Sequence, residues 1–183
     1  MVKEPVAGRV KTRLGRDIGM IRATWWFRHQ SRQLIQRLSA DRRWNTVLAV
    51  SPDIQGLTSR IWPAGTARVA QGGGDLGDRM ARLLRSFRAG PVVIVGADIP
   101  AISPAHIASA FRALGNHQAV FGPAPDGGFW LVGLKRLGPP PRTLFQNVRW
   151  SSEFALADSI ASLGDLNFAQ IDQLRDIDTG ADL

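Results

Sequence analysis

Four β-branched residues in a row, Val92-Val93-Ile94-Val95, bounded by Pro91 and Gly96, have the fewest structural options of any stretch in this 183-residue chain. A continuous apolar run of that length reads as a strand buried on both faces, and the pattern places it over Pro91–Val95. Around it, short apolar runs alternate with stretches of helical period. Further strands are expected at Thr46–Val50, Ala67–Gln71, Ala119–Phe121, Phe129–Leu134 and Phe168–Ile171. Helices are expected at Ile21–Ala40, Ile54–Ile61, Leu76–Phe87, Pro104–Leu114 and Ser151–Leu163, the last capped by Ser151 or Ser152. In the first helix Ile21, Trp25, Leu34, Ile35 and Leu38 make the apolar stripe, and Trp25 and Trp26 are expected in the core. Residues 1–19 read as a loop. Strands alternating with helices imply an α/β fold with a mostly parallel sheet covered on both faces. Ligands of such sheets sit beyond the carboxyl ends of the strands. The length favours one domain over residues 1–183.

Several function classes drop out. The chain has no cysteine, so it can form neither a disulfide framework nor a thiolate metal site, which fits a reducing cytoplasm. Its apolar runs are too short to span a bilayer. The net charge is +8, and Lys3, Lys11 and Lys135 are the only lysines. A positive field suits anionic ligands, but arginines on solvated helix faces are the better explanation of the total, because net charge alone says little about a site. The basic cluster is one loop rather than a long stripe, and no nucleic-acid motif accompanies it, so nucleic acid is not an expected partner. His29, His106 and His117 have no metal-ligand spacing and read as structural or surface residues.

Four stretches can carry chemistry. In Lys3–Leu14, four basic side chains, Lys3, Arg9, Lys11 and Arg13, surround Pro5 and Gly8. Guanidinium forks and ammonium groups suit phosphate oxygens, and backbone N–H groups near Gly8 add donors; a solvated basic loop is the alternative. In Gln71–Met80, glycines 72–74 allow a ligand to approach the backbone, and the following helix N-terminus favours an anion. Gly73, Gly74, Asp75 and Arg79 are therefore candidate phosphate contacts, while Asp75 and Asp78 would serve equally as helix caps. In Gly96–Pro100, Asp98 follows the best strand and is a candidate ligand for Mg²⁺ or Mn²⁺ held against a diphosphate; the alternative is an Asx-turn. In Gly122–Trp130, Asp126 and Gly127 lie between apolar runs and make a hairpin signal. The functional alternative gives Asp126 a role as metal ligand, base or acceptor-binding group.

Together with Phe145–Ser151, these stretches resemble a family of predicted bacterial glycosyltransferases with a three-layer, GT-A-like nucleotide-diphosphosugar transferase fold. Some of its members are radical-SAM-associated or arsenosugar-biosynthesis transferases, and it is related to 2-phospholactate and molybdenum-cofactor guanylyltransferases. Its pattern, Lys-x-Pro-x-x-Gly-x-Val-Lys-Thr-Arg-Leu, then Gln-x-x-Gly-Asp-Leu-Gly-x-Arg-Met, Gly-x-Asp-x-Pro, Gly-Pro-x-x-Asp-Gly-Gly and Phe-x-x-Val-x-Trp-Ser, runs in order through this chain. The resemblance implies that Lys3, Gly8, Lys11 and Arg13 meet the nucleotide phosphates and that Asp98 binds the metal. It implies that Asp126, Gly127 and Gly128 shape the acceptor side and that Trp150 and Ser151 lie near the site. The family opens with an apolar strand ahead of its Lys-x-Pro; only Met1-Val2 stands there here, so that first strand is expected to be missing.

The resulting expectation is a metal-dependent transferase with a nucleotide-sugar donor, a small-molecule acceptor, and Asp98 and Asp126 as catalytic residues. The alternatives are a nucleotidyltransferase that joins a nucleoside triphosphate to a phosphorylated acceptor, and a non-catalytic nucleotide-binding protein.

Overall fold

The computed structural model describes residues 1–88 and 90–183, and their contacts group them into two units. The first comprises Met1–Gln71, Gly96–Pro104 and Asp176–Leu183. It contains β1 (Val2–Lys3), α1 (Thr12–Ile18), α2 (Met20–Ser39), β2 (Val47–Ser51), α3 (Asp53–Thr58) and β3 (Ala67–Ala70). The three strands form a parallel sheet in the order β1-β2-β3, with Val2 opposite Val50 and Val50 opposite Ala70. The place where no strand was expected is thus taken by Val2–Lys3. Residues 1–19 are also not all loop, because Thr12–Ile18 is helical.

Val2, Ile35, Leu48, Val50, Trp62 and Ala97 form this unit's apolar cluster. The Gln71 side chain is buried beside it and donates to the carbonyls of Val2 (3.1 Å) and Ala49 (2.8 Å), stitching β1 to β2. Each such bond contributes about 1 kcal/mol net. Helix α2 buries Ala23, Phe27, Leu34, Ile35 and Leu38, each large side chain worth about 1.5–3 kcal/mol. The expected stripe was partly out of phase: Ile21 is 80% and Trp25 61% exposed. Trp25 stands two residues from both Ala23 and Phe27, which is about 200° around a helix, so it faces away from the core and stacks on His29 with ring centroids 4.1 Å apart.

The second unit comprises Gly72–Val95 and Ala105–Arg175. It contains α4 (Leu76–Ser86), β4 (Val92–Val95), α5 (Pro104–Asn116, whose first residue belongs to the other unit), β5 (Ala119–Pro123), β6 (Phe129–Leu134), α6 (Ala155–Ala161) and β7 (Phe168–Gln170). The sheet order is β4-β6-β5-β7; β6 runs antiparallel to both neighbours, and β5 pairs parallel with β7. Val120, Phe121, Leu131 and Val132 fill its core. The residues of β4 are half-buried rather than enclosed on both faces. The expected helix from Ser151 begins only at Ala155. Ser151 has φ +59°, and the Ser152 hydroxyl donates to Arg149 O at 2.6 Å and accepts from Phe154 N at 3.3 Å, so residues 151–154 turn locally instead of capping a helix. Among the described residues, no helix is long and apolar enough to cross a membrane.

Candidate functional site

In the first unit the opening loop meets a carboxylate cluster. Val6 N donates to Glu4 O and Arg9 N to Val6 O, both at 2.9 Å, and Gly8 sits in that turn with φ +76°. Lys3 is exposed at the end of β1. Lys11 precedes α1 in the left-handed conformation, φ 44° and ψ 49°, and Gly15 N closes onto its carbonyl at 2.8 Å.

Asp98 lies between Ala97 and Ile99, both buried. Ser31 of α2 donates to Ala97 O (3.2 Å), Arg37 to Pro100 O (3.0 Å) and Ile177 N to Asp98 O (3.3 Å), so the turn is gripped on both sides. The C-terminal tail is fixed by Asp182. Its Oδ2 accepts from Asp178 N (3.2 Å), Thr179 N (2.8 Å) and Thr179 Oγ1 (2.8 Å). Gly180 N donates to Asp17 Oδ2 of α1 at 2.7 Å.

These anchors bring Asp98, Asp176 and Asp178 around Lys11. Its Nζ is 2.6 Å from Asp98 Oδ2, 2.7 Å from Asp178 Oδ1 and 3.9 Å from Asp176 Oδ2, and its side chain is only 6% exposed. Arg13 reaches Asp178 Oδ2 at 3.2 Å from a largely exposed position. Burial opposes the charge on Lys11, but the Asp98 carboxylate and the hydrogen bonds to Asp178 and Asp98 outweigh it, holding the ammonium above the usual lysine value. Burial likewise pushes Asp178 up, and the Lys11 hydrogen bond with the charges of Lys11 and Arg13 more than reverses it, leaving the carboxyl below its usual range.

One oxygen from each of the three aspartates lies within 4.8 Å of the others. The donors are all hard carboxylate oxygens and are only partly enclosed. That set fits Mg²⁺ or Mn²⁺, which take one or two carboxylates and leave positions for phosphate oxygens.

The remaining candidates gather in the second unit. Asp75 caps α4: its side chain accepts from Asp78 N at 2.8 Å, and Asp78 Oδ2 accepts from Asp75 N at 3.1 Å. Arg79 Nε donates to Gly74 O (3.0 Å) and an Arg82 guanidinium N–H to Gly73 O (2.9 Å), so the glycine stretch is held by its own helix. The cap role weighed for Asp75 is the one its bonds display. Asp126 Oδ1 accepts from Gly128 N at 2.9 Å, the Asx-type turn of the β5–β6 hairpin. Gly127 has φ +82°, and a Cβ there would stand 2.1 Å from Glu153 O, so only glycine fits beneath the 153–156 turn. Gly127 O also accepts from Leu156 N at 2.9 Å. Trp150 packs against Phe129 and Phe145, with centroids 6.3 and 6.1 Å away, and against Gly77 of α4. Its Nε1 is buried without a hydrogen-bond partner among the described residues. Ser151 is exposed beside it.

Asp176 and Asp178 were not among the sequence candidates. Their signal was the alternation Asp176-Ile177-Asp178 followed by the capping spacing Thr179-x-x-Asp182, in a tail whose local pattern reads as polar coil.

Residues 34–152 match a family described as "Uncharacterized protein conserved in bacteria (DUF2064)". That span includes Asp98, Asp126, the glycine stretch and Trp150. Among solved structures, the chain is similar to a protein of Desulfovibrio desulfuricans G20 whose name reads "putative nucleotide-diphospho-sugar transferase". The two are 28% identical, with a TM-score of 0.81 over 97% of this chain and 80% of the other. No protein of curated function matches the chain. The α/β fold is accordingly of the nucleotide-diphosphosugar transferase type.

Proposed function

We infer the function from one premise: the chain belongs to the DUF2064 family of bacterial proteins. With the similarity to a nucleotide-diphospho-sugar transferase over nearly its whole length, that premise supports a transferase. The more specific reading is a glycosyl transfer from a nucleotide-sugar donor, dependent on Mg²⁺ or Mn²⁺. The observation that carries it is the cluster of Asp98, Asp176 and Asp178 set against the basic loop that supplies Lys11 and Arg13. Carboxylates beside cationic side chains are what a metal-bound diphosphate requires: the former for the ion, the latter for the phosphate oxygens the ion leaves uncovered.

In this reading Asp98 is the principal metal ligand, with Asp176 and Asp178 completing the donor set. The ion, when bound, neutralises charge on the departing diphosphate. Lys11 and Arg13 bind and orient the same phosphates, with Lys3 and the backbone at Gly8 contributing at the loop's start. Asp126, Gly127 and Gly128 define the acceptor side, where the Asp126 carboxylate orients or deprotonates the acceptor hydroxyl. Gly73, Gly74 and Arg79 border the nucleotide, and Trp150 and Ser151 flank the acceptor.

The test identifies the bond that breaks. Protein, Mn²⁺, pooled nucleotide-sugars or nucleoside triphosphates and a metabolite extract are followed by phosphorus NMR. Release of nucleoside diphosphate only from nucleotide-sugars is the expected result. Pyrophosphate released from a triphosphate, dependent on extract and lost in Asp98→Asn, would instead establish nucleotidyl transfer. Binding without either product would leave a nucleotide-binding protein.

A further inference from the structure

We propose that Lys11 is a built-in cation which a divalent ion must displace from Asp98 and Asp178, and that the freed ammonium then passes to the ligand's phosphates. This rests on the metal reading of the cluster given above and assigns a coupling role to one of its residues. Both oxygens of Asp178 are engaged, Oδ1 by Lys11 at 2.7 Å and Oδ2 by Arg13 at 3.2 Å, and Asp98 Oδ2 is engaged by Lys11 at 2.6 Å. A divalent ion bound to the same two carboxylates would stand within a few ångströms of the Lys11 ammonium, where like charges in a partly enclosed site repel strongly. Arg13 is 69% exposed and moves aside into solvent at little cost; Lys11 is 6% exposed and is the occupant that the ion contests.

The backbone supplies a second, independent observation. Lys11 is a non-glycine residue in the left-handed region, directly before the first turn of α1, and makes no side-chain cap there. That conformation is disfavoured for a residue with a Cβ, and its contacts with the aspartates offset the strain. Once they are lost, the residue is free to return to a commoner conformation, which moves its side chain away from Asp98. The ion and the phosphates then assist each other's binding through Lys11, and linkage requires the coupling to be reciprocal.

The three lysines of the chain make the idea measurable without a variant. Amine labelling of the intact protein, read peptide by peptide in a mass spectrometer, should find Lys11 protected without metal and labelled several-fold faster in saturating Mg²⁺. Lys135, bonded to Gly115 O, should not change. In calorimetry, Lys11→Met should bind Mn²⁺ alone about tenfold tighter than the parent, a gain of about 1.4 kcal/mol. The variant should also lose the enhancement of pyrophosphate binding that Mn²⁺ produces in the parent. Mg²⁺ bound by the parent while Lys11 stays protected, or a Lys11→Met protein with parental Mn²⁺ affinity, would overturn the proposal and leave the metal site standing. If neither protein binds either ion, the metal reading itself fails, and this inference with it.

Discussion

The Lys11–Asp178 pair ties stability to pH at both ends of the scale. The folded-state value of Asp178 lies below that of an unfolded aspartate. Its contribution is therefore complete above about pH 4 and disappears as the pH falls through the depressed folded value. Lys11 is shifted upward, so its contribution is complete below about pH 10 and disappears as the pH rises through the folded value. Urea unfolding should show the parent losing more stability between pH 6 and pH 3 than Asp178→Asn does; equal losses would mean that the pair contributes nothing. Asp98 is the sharper functional test. Asp98→Asn keeps the shape and the backbone bond from Ile177 but removes the anion. Metal-dependent nucleotide binding should weaken by about tenfold or more, at least ~1.4 kcal/mol. Calorimetry that finds parental affinity would return Asp98 to the role of a turn residue. Residue identity alone did not settle such roles elsewhere: Trp25 has the composition of a core residue and lies outside the core, because helical phase places it there.

Elements in this chain begin and end where side chains answer the backbone. Helix α4 starts at a reciprocal box, Asp75 to Asp78 N and Asp78 to Asp75 N, which satisfies two of the donors a helix start leaves open. Asp75→Ala should cost about 1 kcal/mol of stability, read from a denaturation midpoint, with nucleotide affinity unchanged. A parallel loss of nucleotide affinity would give Asp75 a ligand contact as well as its cap. Helix α6 shows the opposite case. Ser151 and Ser152 have the composition of caps, yet Arg149 binds Asp158 through two of its three guanidinium nitrogens and its own backbone N–H, at 2.8, 2.8 and 3.0 Å. That clamp ties the turn ahead of the helix to Asp158 within it, and the helix begins only at Ala155. Cap residues can be read from spacing; which of them cap is settled by what else competes for the same backbone.

At the scale of the whole molecule the decisive contact joins residues from opposite ends of the sequence. Lys11 and Asp178 are 167 positions apart. Residues 176–183 return to the first unit and supply two of its three clustered carboxylates. A chain ending at Arg175 should lose Mn²⁺ binding and melt lower by at least ~2–4 °C, the shift that 1 kcal/mol produces at this size. Intact Mn²⁺ binding in the shortened chain would remove Asp176 and Asp178 from the site. The α/β class, the strands at β2, β4 and β6 and the helices α2, α4 and α5 were legible in the chain's local pattern. Apolar periodicity and turn residues act between near neighbours, so a linear reading recovers them. The basic opening loop and Asp98 stood out for the same reason, as local clusters of charge and as a carboxylate directly after a strand. Tertiary structure alone decided that Val2–Lys3 would pair with β2 and that two aspartates of the tail would enclose Lys11. Each of these depends on which distant backbone donor or charge arrives at a given place, and a chain read in one dimension carries no measure of that distance.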